Sequence, residues 1–349
     1  MKSQFNINGR AIGASFSPYI VAEMSANHNG ELETALRIID EAKKAGADAV
    51  KIQTYRPDTI TLDSNLPDFQ ITEGLWAGKT LYELYEWAHT PWEWHKTLFE
   101  HARKIGITLF SSPFDNTAVD LLEDLNAPAY KIASFEAVDL ALIKYVASTG
   151  KPMIISTGMA TLEEIEIAID TAQGAGCKDL AILHCVSGYP APAEDYNLTS
   201  ITDLQNRFGL VTGLSDHTLD NTTAITSVAL GASIIEKHFT LDRKGGGPDD
   251  SFSLDPQHLA TLCRDSRVAW QSIGRVNYDV KPSEQDNIKF RRSIYYVKDL
   301  APGEVVSADS IKSVRPGYGL APIHVEAILG KKVNRKITKN TPTSWSDFD

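Results

Sequence analysis

Two stretches of the chain decide the fold: LVTGLSDHT, residues 210–218, and SIIEKHFTLDR, residues 233–243. In each, a short apolar run typical of a buried strand stops at polar residues, and a histidine, His217 or His238, stands directly after the run. Neighbouring parallel strands lie about 4.8 Å apart, so histidines at adjacent carboxyl ends can reach one cation at about 2.1 Å. The pair therefore predicts a two-histidine metal site. The alternative is that each histidine only caps its strand through a hydrogen bond.

The same alternation of apolar runs and helical patterns recurs from Tyr19 to Ile273 and predicts eight strand-helix units. Continuous apolar strands separated by helices pair in parallel with both faces covered, and about 250 residues is the usual size of a (β/α)₈ barrel. The predicted fold class is therefore α/β, with a (β/α)₈ TIM barrel. The competing fold, a doubly wound sheet, usually begins with a G-x-G-x-x-G turn, which YIVAEMSANHNG, residues 19–30, does not contain.

Three additions to the barrel are predicted. Asn8-Gly9, between two short strand signals, indicates a hairpin that closes one end of the barrel. Residues 55–90 form an excursion far longer than an ordinary loop, which suggests a lid over the barrel mouth. A polar segment with Pro and Gly follows Ile273, and SIYYV and KKVN are the strand signals beyond it. The predicted domains are a barrel at 1–280, a linker at 281–291 and a small, mostly β domain at 292–349.

Composition restricts the class of partner. The chain has 349 residues and a net charge of -11, and it contains no block of basic residues, which argues against nucleic acid and an anionic membrane surface. No run approaches the roughly 20 apolar residues of a spanning helix, and the amino-terminal stretch lacks the apolar core of a signal peptide. A cytoplasmic protein is therefore expected. The three cysteines are too few and too scattered for a disulfide framework or a cysteine-rich zinc site.

Polar side chains stand at every predicted strand end, where the active site of a (β/α)₈ barrel lies. Two lysines and four serines among them suit a small ligand that carries a phosphate and a carboxylate. Lys237 alternates with His238 along its strand and can point into the helical layer, so its role and that of His184 stay open. The strand-end residues are Glu23, Lys51, Gln53, Ser112, Lys131, Ser134, Ser156, His184, Ser215, His217, Lys237 and His238.

Several longer runs resemble the sialic acid synthase family, whose members condense phosphoenolpyruvate with an N-acylated amino sugar. The runs are IVAEMSANHNG, DAVKIQT, YKIASFE, GLSDHT, IIEKHFTLD, GGPDDSFSLDP and RPGYGL. The resemblance spans nearly the whole chain and implies the order barrel, linker and SAF (antifreeze-like) domain. CVSGYPAP, GGPDDSFSLDP and RPGYGL are similar to the branch that makes pseudaminic acid from 2,4-diacetamido-2,4,6-trideoxy-L-altrose. N-acetylneuraminate and legionaminic acid synthesis are the alternatives.

The resemblance also implies roles for individual residues. A divalent metal, manganese first with magnesium or cobalt as alternatives, is held by His217 and His238. Arg315 enters the site of the partner subunit in a domain-swapped homodimer. Glu23 either acts as a general base or only binds sugar hydroxyls, and Lys51 and Lys131 take part in the chemistry. Phosphoenolpyruvate is held by Lys51, Ser112, Lys131, Ser134, Ser156 and Ser215. The sugar is faced by Glu23, Gln53, Glu136, Tyr189 and Asp249.

Two further residues are expected at the sugar because a 6-deoxy, diacetamido substrate needs apolar contact area together with polar partners for its acetamido groups. Phe252 supplies the area and Ser187 a polar group, although Phe252 equally suits packing under the last barrel helix.

Two rival functions use different features of the chain. Lys131 or Lys51 suits a Schiff-base aldolase, but the histidine pair has no role in that mechanism. A non-catalytic binding protein is suggested by the likeness of the tail to an ice-binding fold. Ice binding favours a weakly charged face, whereas this tail is basic, with Lys331, Lys332, Arg335, Lys336 and Lys339.

Overall fold

The computed structural model of the chain describes residues 4–349. The chain divides into two compact units, the first ending at Gly274 and the second spanning Arg275–Asp349. The predicted linker at 281–291 contains a 3-10 helix, Pro282–Phe290, and the predicted domain limits at 280 and 292 stay predictions.

Eight parallel strands of the first unit close into a barrel, which confirms the predicted TIM fold. Each strand pairs with the next along the chain, and the last pairs with the first, so that His238 lies opposite Glu23. Closure leaves no unpaired sheet edge. The strands are β3 (Tyr19–Glu23), β4 (Ala49–Thr54), β5 (Thr108–Pro113), β6 (Tyr130–Ile132), β7 (Met153–Ser156), β8 (Leu180–Cys185), β9 (Val211–Asp216) and β10 (Ile234–His238).

Helices cover the barrel, and local sequence signals determine their ends. Gly46 and Gly106 end two of them with φ angles of 94° and 74°, a left-handed conformation that glycine adopts at little cost. Asp255 accepts a hydrogen bond from the backbone N–H of His258 and caps the last barrel helix, which ends at Ile273, where the predicted strand-helix pattern also ends. The helices of this unit are α1 (Leu32–Ala45), α2 (Pro57–Ile60), α3 (Leu81–Ala88), α4 (His95–Ile105), α5 (Asn116–Asp124), α6 (Leu140–Ser148), α7 (Leu162–Gly174), α8 (Thr199–Phe208), α9 (Thr222–Ala229) and α10 (Pro256–Ile273).

Alternation along the strands divides the core into two layers. Outward residues such as Ala22, Val50 and Ile235 pack against the helices, whereas inward residues such as Val21 and Ile234 fill the barrel. The predicted hairpin is formed by β1 (Gln4–Ile7) and β2 (Arg10–Gly13). Its side chains Phe5, Ile7 and Ile12 join the interior cluster, so the hairpin closes the amino-terminal end of the barrel as predicted. The buried lysines and glutamates of the barrel interior therefore lie towards the carboxyl-terminal mouth.

The excursion after β4 is ordered and reaches the barrel mouth. It contains α2, a 3-10 helix at Pro67–Phe69 and α3. Trp76 Nε1 donates to the carbonyl oxygen of Pro248 at 3.0 Å, which ties the excursion to the loop after β10. Two buried histidines secure its ends: His95 contacts Thr54 Oγ1 at 2.8 Å, and the ring of His28 packs edge-on against Trp94.

The second unit is small and contains β11 (Ser293–Tyr296), β12 (Ile311–Val314) and α11 (Val325–Ile328). SIYYV forms β11 as predicted. The KKVN signal is wrong as a strand, because Lys332 and Val333 make only isolated bridges, to Val305 and Phe348. A separate apolar cluster that includes Ile294, Tyr296, Val306, Ile328 and Ile337 forms the core of this unit.

Candidate active site

Four buried charged side chains meet at the barrel mouth: Glu23, Lys51, Lys131 and Glu236. Lys51 Nζ lies 2.9 Å from Glu23 Oε2 and 3.6 Å from Glu236 Oε1. Lys131 Nζ lies 2.9 Å from the same Glu236 oxygen. Glu23 Oε2 pairs with Lys51 by charge but receives no well-directed hydrogen bond. Because buried ions persist only when they are paired, the two carboxylates hold both ammonium groups in a region that water scarcely reaches.

Burial is the largest single influence on the pKa of each of these groups, and it is outweighed by charged partners only at Lys51 and Glu236. Burial raises the pKa of Glu23 against the opposing charge of Lys51. Burial would also raise the pKa of Glu236, but Lys131 and Lys51 outweigh it and lower that pKa. Burial prevails at Lys131 and lowers its pKa, whereas two carboxylates outweigh burial at Lys51 and raise its pKa. Lys51 therefore holds its proton more firmly than an ordinary lysine, and Lys131 releases its proton more readily.

Serine hydroxyls extend this cluster, as the strand-end pattern predicts. Lys51 Nζ donates to Ser112 Oγ at 3.2 Å, and Ser215 Oγ donates to Glu236 Oε1 at 3.4 Å. Both hydroxyls are buried. The strand of Ser112, β5, pairs with β4, and the strand of Ser215, β9, pairs with β10, which carries Glu236. An anion placed against the lysines would find these hydroxyls as directional donors.

Three more predicted serines surround Gly158, just past β7. Ser134 Oγ accepts the backbone N–H of Gly158 at 3.1 Å, and Ser156 Oγ is buried without a partner. A Cβ at Gly158 would lie 2.2 Å from Ser187 Oγ and 2.8 Å from Ser134 Oγ, so a larger residue here would displace both hydroxyls. A buried hydroxyl without a partner is costly, and Ser156 Oγ is therefore available to a ligand at the mouth.

His217 and His238 lie side by side at the mouth, with ring centroids 5.4 Å apart. His217 Nδ1 contacts the carbonyl oxygen of Val186 at 2.7 Å, so in the neutral ring Nδ1 carries the proton and Nε2 holds the lone pair that a cation could bind. His238 Nδ1 is buried without a hydrogen bond, since Asp249 Oδ2 is 3.9 Å away. The spacing and the free nitrogens fit one cation between the two rings. Within residues 4–349, no group of three His, Cys, Asp or Glu side chains forms a metal site, so other ligands would complete the shell.

The pKa values of this pair also depend on a neighbouring thiol. Burial would lower the pKa of His217, but Cys185 outweighs it and raises that pKa. Burial would raise the pKa of Cys185, but His217 lowers it. Burial lowers the pKa of His238 well below its usual value, and a second proton on the neighbouring His217 would lower it further. His238 is therefore neutral, as a metal ligand must be.

A hydrogen-bonded chain links Glu23 to Asp249 across the mouth. Gln53 Nε2 donates to Glu23 Oε1 at 2.9 Å and to Ser25 Oγ at 3.0 Å. Ser25 Oγ in turn donates to Asp249 Oδ2 at 2.5 Å. Burial raises the pKa of Asp249, although the bond from Ser25 opposes the shift.

Aromatic side chains form one wall of the mouth. The ring of Tyr189 lies 4.4 Å from that of His217 and 5.5 Å from that of Phe252, and Phe252 lies 5.0 Å from His238. Phe252 is buried, and its ring contacts are at the mouth. Trp76 approaches Tyr189 at 6.1 Å from the excursion, so this wall combines three loops.

Glu136 and Arg315 are less constrained than the other predicted residues. Burial raises the pKa of Glu136 to about 7, and its Oε2 is buried without a partner. A carboxyl group with a pKa near neutrality suits proton transfer. Arg315 is exposed in the second unit, and it makes no ion pair within residues 4–349. The functional roles of all the site residues predicted from the sequence stay predictions.

Lys237 and His184, the two strand-end residues whose roles the sequence leaves open, face away from the mouth. Lys237 Nζ donates to Asp216 Oδ2 at 2.8 Å and to the carbonyl oxygens of Thr218 and Asp220 at 2.8 and 2.7 Å. It therefore holds the loop that carries His217 from the helical side. His184 Nε2 contacts the carbonyl oxygen of Tyr196, also outside the barrel.

Sequence reasoning missed Glu236, Ser25 and Trp76. Glu236 had a usable signal, because it stands two residues before His238 and so shares its inward face. Ser25 and Trp76 lie in loops whose paths no periodicity predicts.

The model of the NeuB family matches residues 38–278, and the model of the SAF domain matches residues 291–349. The chain is 44% identical over 330 residues to the pseudaminic acid synthase of Campylobacter jejuni strain 81-176, covering 95% of this chain and 96% of the relative. It is 43% identical over 333 residues to the pseudaminic acid synthase of Helicobacter pylori, covering 95% and 98%.

Among solved structures, the N-acetylneuraminic acid synthetase of Leptospira borgpetersenii, solved with citrate, aligns with a TM-score of 0.73 at 31% identity. The alignment covers 82% of this chain and 96% of that one. Within residues 4–349, no helix is long and apolar enough to cross a membrane.

Proposed function

The chain belongs to the NeuB family, and on this premise we propose that it is a pseudaminic acid synthase. The reaction joins phosphoenolpyruvate, 2,4-diacetamido-2,4,6-trideoxy-L-altrose and water, and it yields pseudaminic acid and phosphate. One observation carries the proposal: at the barrel mouth, buried lysines and serines adjoin a pair of histidines. The first feature suits an anionic enol, and the second suits polarisation of an aldehyde.

Lys51 and Lys131 bind the phosphate and carboxylate of phosphoenolpyruvate. Both ammonium groups are buried, so their attraction for an anion is screened much less than at a surface. Ser112 and Ser215 add hydroxyl donors, and Ser156 gains the partner that it lacks without substrate.

His217 and His238 would hold a divalent cation, and manganese suits them because it accepts imidazole together with oxygen ligands. Such a cation would supply Lewis-acid polarisation of the aldehyde oxygen of the open-chain sugar. C3 of the enol then attacks the aldehyde carbon and forms the new C–C bond, and the positive charge develops at C2. Water adds at C2 and gives up a proton, and the tetrahedral intermediate expels phosphate.

Two carboxyl groups compete for the proton-transfer role. Glu23 is engaged by both Gln53 and Lys51, which supports a role in orientation. Glu136 has a pKa of about 7 and an oxygen without a partner, which supports proton transfer. Glu136→Gln should therefore reduce kcat and remove a limb of its pH profile, whereas Glu23→Gln should mainly raise KM for the sugar.

The aromatic wall supports the diacetamido sugar. Tyr189, with the buried Phe252 packed against it, supplies apolar area for the methyl groups of this substrate, and Asp249 with Ser187 supplies polar partners. An apolar pocket alone rejects an added hydroxyl by only about 10²-fold, so the polar groups must contribute the remaining discrimination.

The test measures phosphate release from phosphoenolpyruvate with a panel of N-acylated hexoses, with and without EDTA. We expect release with the diacetamido altrose, loss of turnover in EDTA and recovery with manganese. Equal or better use of N-acetylmannosamine would refute the pseudaminic assignment alone. Full activity of the His217→Ala/His238→Ala variant would refute the metal site. Since burial lowers the pKa of Lys131, as a Schiff-base lysine requires, borohydride inactivation in the presence of the sugar would favour an aldolase.

The exposed Arg315 supports a shared site in a homodimer, since its guanidinium can clamp a carboxylate with two hydrogen bonds. Mixing Arg315→Ala subunits with Glu23→Ala subunits should partly restore turnover, because some heterodimers regain one intact site. Absence of rescue after demonstrated subunit exchange would refute the sharing. Phosphoenolpyruvate is a cytoplasmic metabolite, which supports a cytoplasmic location, and cell fractionation tests it.

A further inference from the structure

Ser25 combines an unfavourable backbone with a fully engaged hydroxyl. Its φ is 45°, in the left-handed region where glycine is preferred. It is buried just past β3, where its hydroxyl donates to Asp249 and accepts from Gln53. A side chain kept in such a conformation at an active site points to a function for that side chain.

With Glu23 and Asp249 ionised, the donors and acceptors in this chain have only one consistent arrangement. Asp249 is an acceptor, because it receives both the hydroxyl of Ser25 and the backbone N–H of Ala26. The single hydroxyl proton of Ser25 is therefore committed, and Ser25 can only accept from Gln53. Glu23, paired with Lys51, is also an acceptor, so both protons of Gln53 Nε2 are used.

This arrangement leaves the carbonyl oxygen of Gln53 available. No protein donor reaches Gln53 Oε1 within residues 4–349, and the side chain is half-buried rather than enclosed. A freely rotating amide would present either a donor or an acceptor to a ligand. Here only the acceptor is presented.

We propose that Ser25 is a positioning residue that orients the Gln53 amide so that Oε1 accepts the N–H of an acetamido group of the sugar. The inference rests on the proposed function for the identity of the sugar. Hydroxyl groups both donate and accept, so they gain little from a fixed amide orientation. An acetamido N–H can only donate, and so it requires the acceptor that Ser25 enforces.

Ser25→Gly and Ser25→Ala separate the hydroxyl from the backbone. Both lose the hydroxyl, but only glycine relieves the left-handed strain, so the glycine variant will fold. Asn126→Gly is the matched control, because Asn126 has a φ of 55° at an exposed position after α5 and belongs to no site.

The kinetic test compares kcat/KM for the diacetamido sugar with two analogues, in each of which one acetamido nitrogen is replaced by an ester oxygen. The natural chain should discriminate against one analogue by at least 100-fold, since a site built to accept an N–H rejects its absence strongly. Both Ser25 variants should lose at least 10-fold of that discrimination, and the Asn126 control should lose none. Retained discrimination in both variants would overturn the proposal.

A second readout needs no turnover. Hydrogen exchange of the two Gln53 side-chain N–H protons, measured by NMR on the protein without substrate, should be at least 10-fold faster for one proton in Ser25→Gly. Unchanged exchange would refute the orientation. Fast exchange in a chain that turns over no diacetamido sugar would instead retain the positioning of Gln53 and refute the proposed function.

Discussion

Glu236→Gln provides the most direct test of the buried charge cluster. The substitution keeps the shape of the side chain and removes the one carboxylate that both lysines share, 2.9 Å from Lys131 Nζ and 3.6 Å from Lys51 Nζ. At an effective dielectric constant of about 20, each attraction is on the order of 5 kcal/mol before desolvation is subtracted. Removing one partner of a buried pair costs about 3–5 kcal/mol. We expect the free energy of unfolding to fall by about 3 kcal/mol or more.

The same substitution should move the pH dependence of the reaction. Burial already lowers the pKa of Lys131, and Glu236 is the charge that opposes this shift. Without Glu236, Lys131 loses its proton at a lower pH. Since a protonated Lys131 is proposed to bind phosphoenolpyruvate, the limb on which kcat/KM falls as pH rises should move to lower pH.

Urea unfolding at pH 7.5 and a pH profile of kcat/KM measure the two effects. Asp203→Asn is the control, because Asp203 and Arg207 lie only 2.6 Å apart but are half-exposed, at 54% and 51%. An exposed pair of this kind is worth about 0.5 kcal/mol. If Glu236→Gln unfolds within about 1 kcal/mol of the natural chain and its basic limb does not move, the account of the cluster is refuted.

Two other predictions concern the surroundings of the mouth. Gly158→Ala should raise KM for phosphoenolpyruvate about 10-fold and cost about 1–3 kcal/mol of stability, because the added Cβ would lie 2.2 Å from Ser187 Oγ; an unchanged KM in steady-state kinetics would contradict this. Burial lowers the pKa of both His28 and His95 to about 4, so the unfolded chain binds more protons between pH 4 and 6.5. The free energy of unfolding should therefore fall as pH drops through this window, by about 2 kcal/mol per histidine at pH 5. In urea unfolding, His95→Gln should lose only about half as much stability on acidification as the natural chain, because only His28 then contributes.

The sequence determined the barrel because the relevant information is local and repeated. Eight apolar runs alternate with helical patterns, and apolar strands with both faces covered have few ways to pack other than in parallel. It also indicated His217, His238 and the strand-end lysines, because strand ends are visible as the place where apolar residues stop.

Only the tertiary structure decided which strand-end side chains meet. Lys237 and Glu236 are adjacent in the chain, yet Lys237 bonds to Asp216 in the helical layer while Glu236 pairs with Lys131 in the mouth. A strand sends successive side chains to opposite faces, so an error of one residue in phase exchanges the two roles.

The chain from Ser25 to Asp249 was beyond sequence reasoning for a different reason. These residues are 224 positions apart and approach within 2.5 Å only because β10 closes the barrel beside β3. Ser25 also adopts a φ that serine seldom takes, and no propensity predicts it. Periodicity reports which face of an element a residue occupies, whereas a hydrogen bond between two loops depends on the closed geometry of the whole barrel.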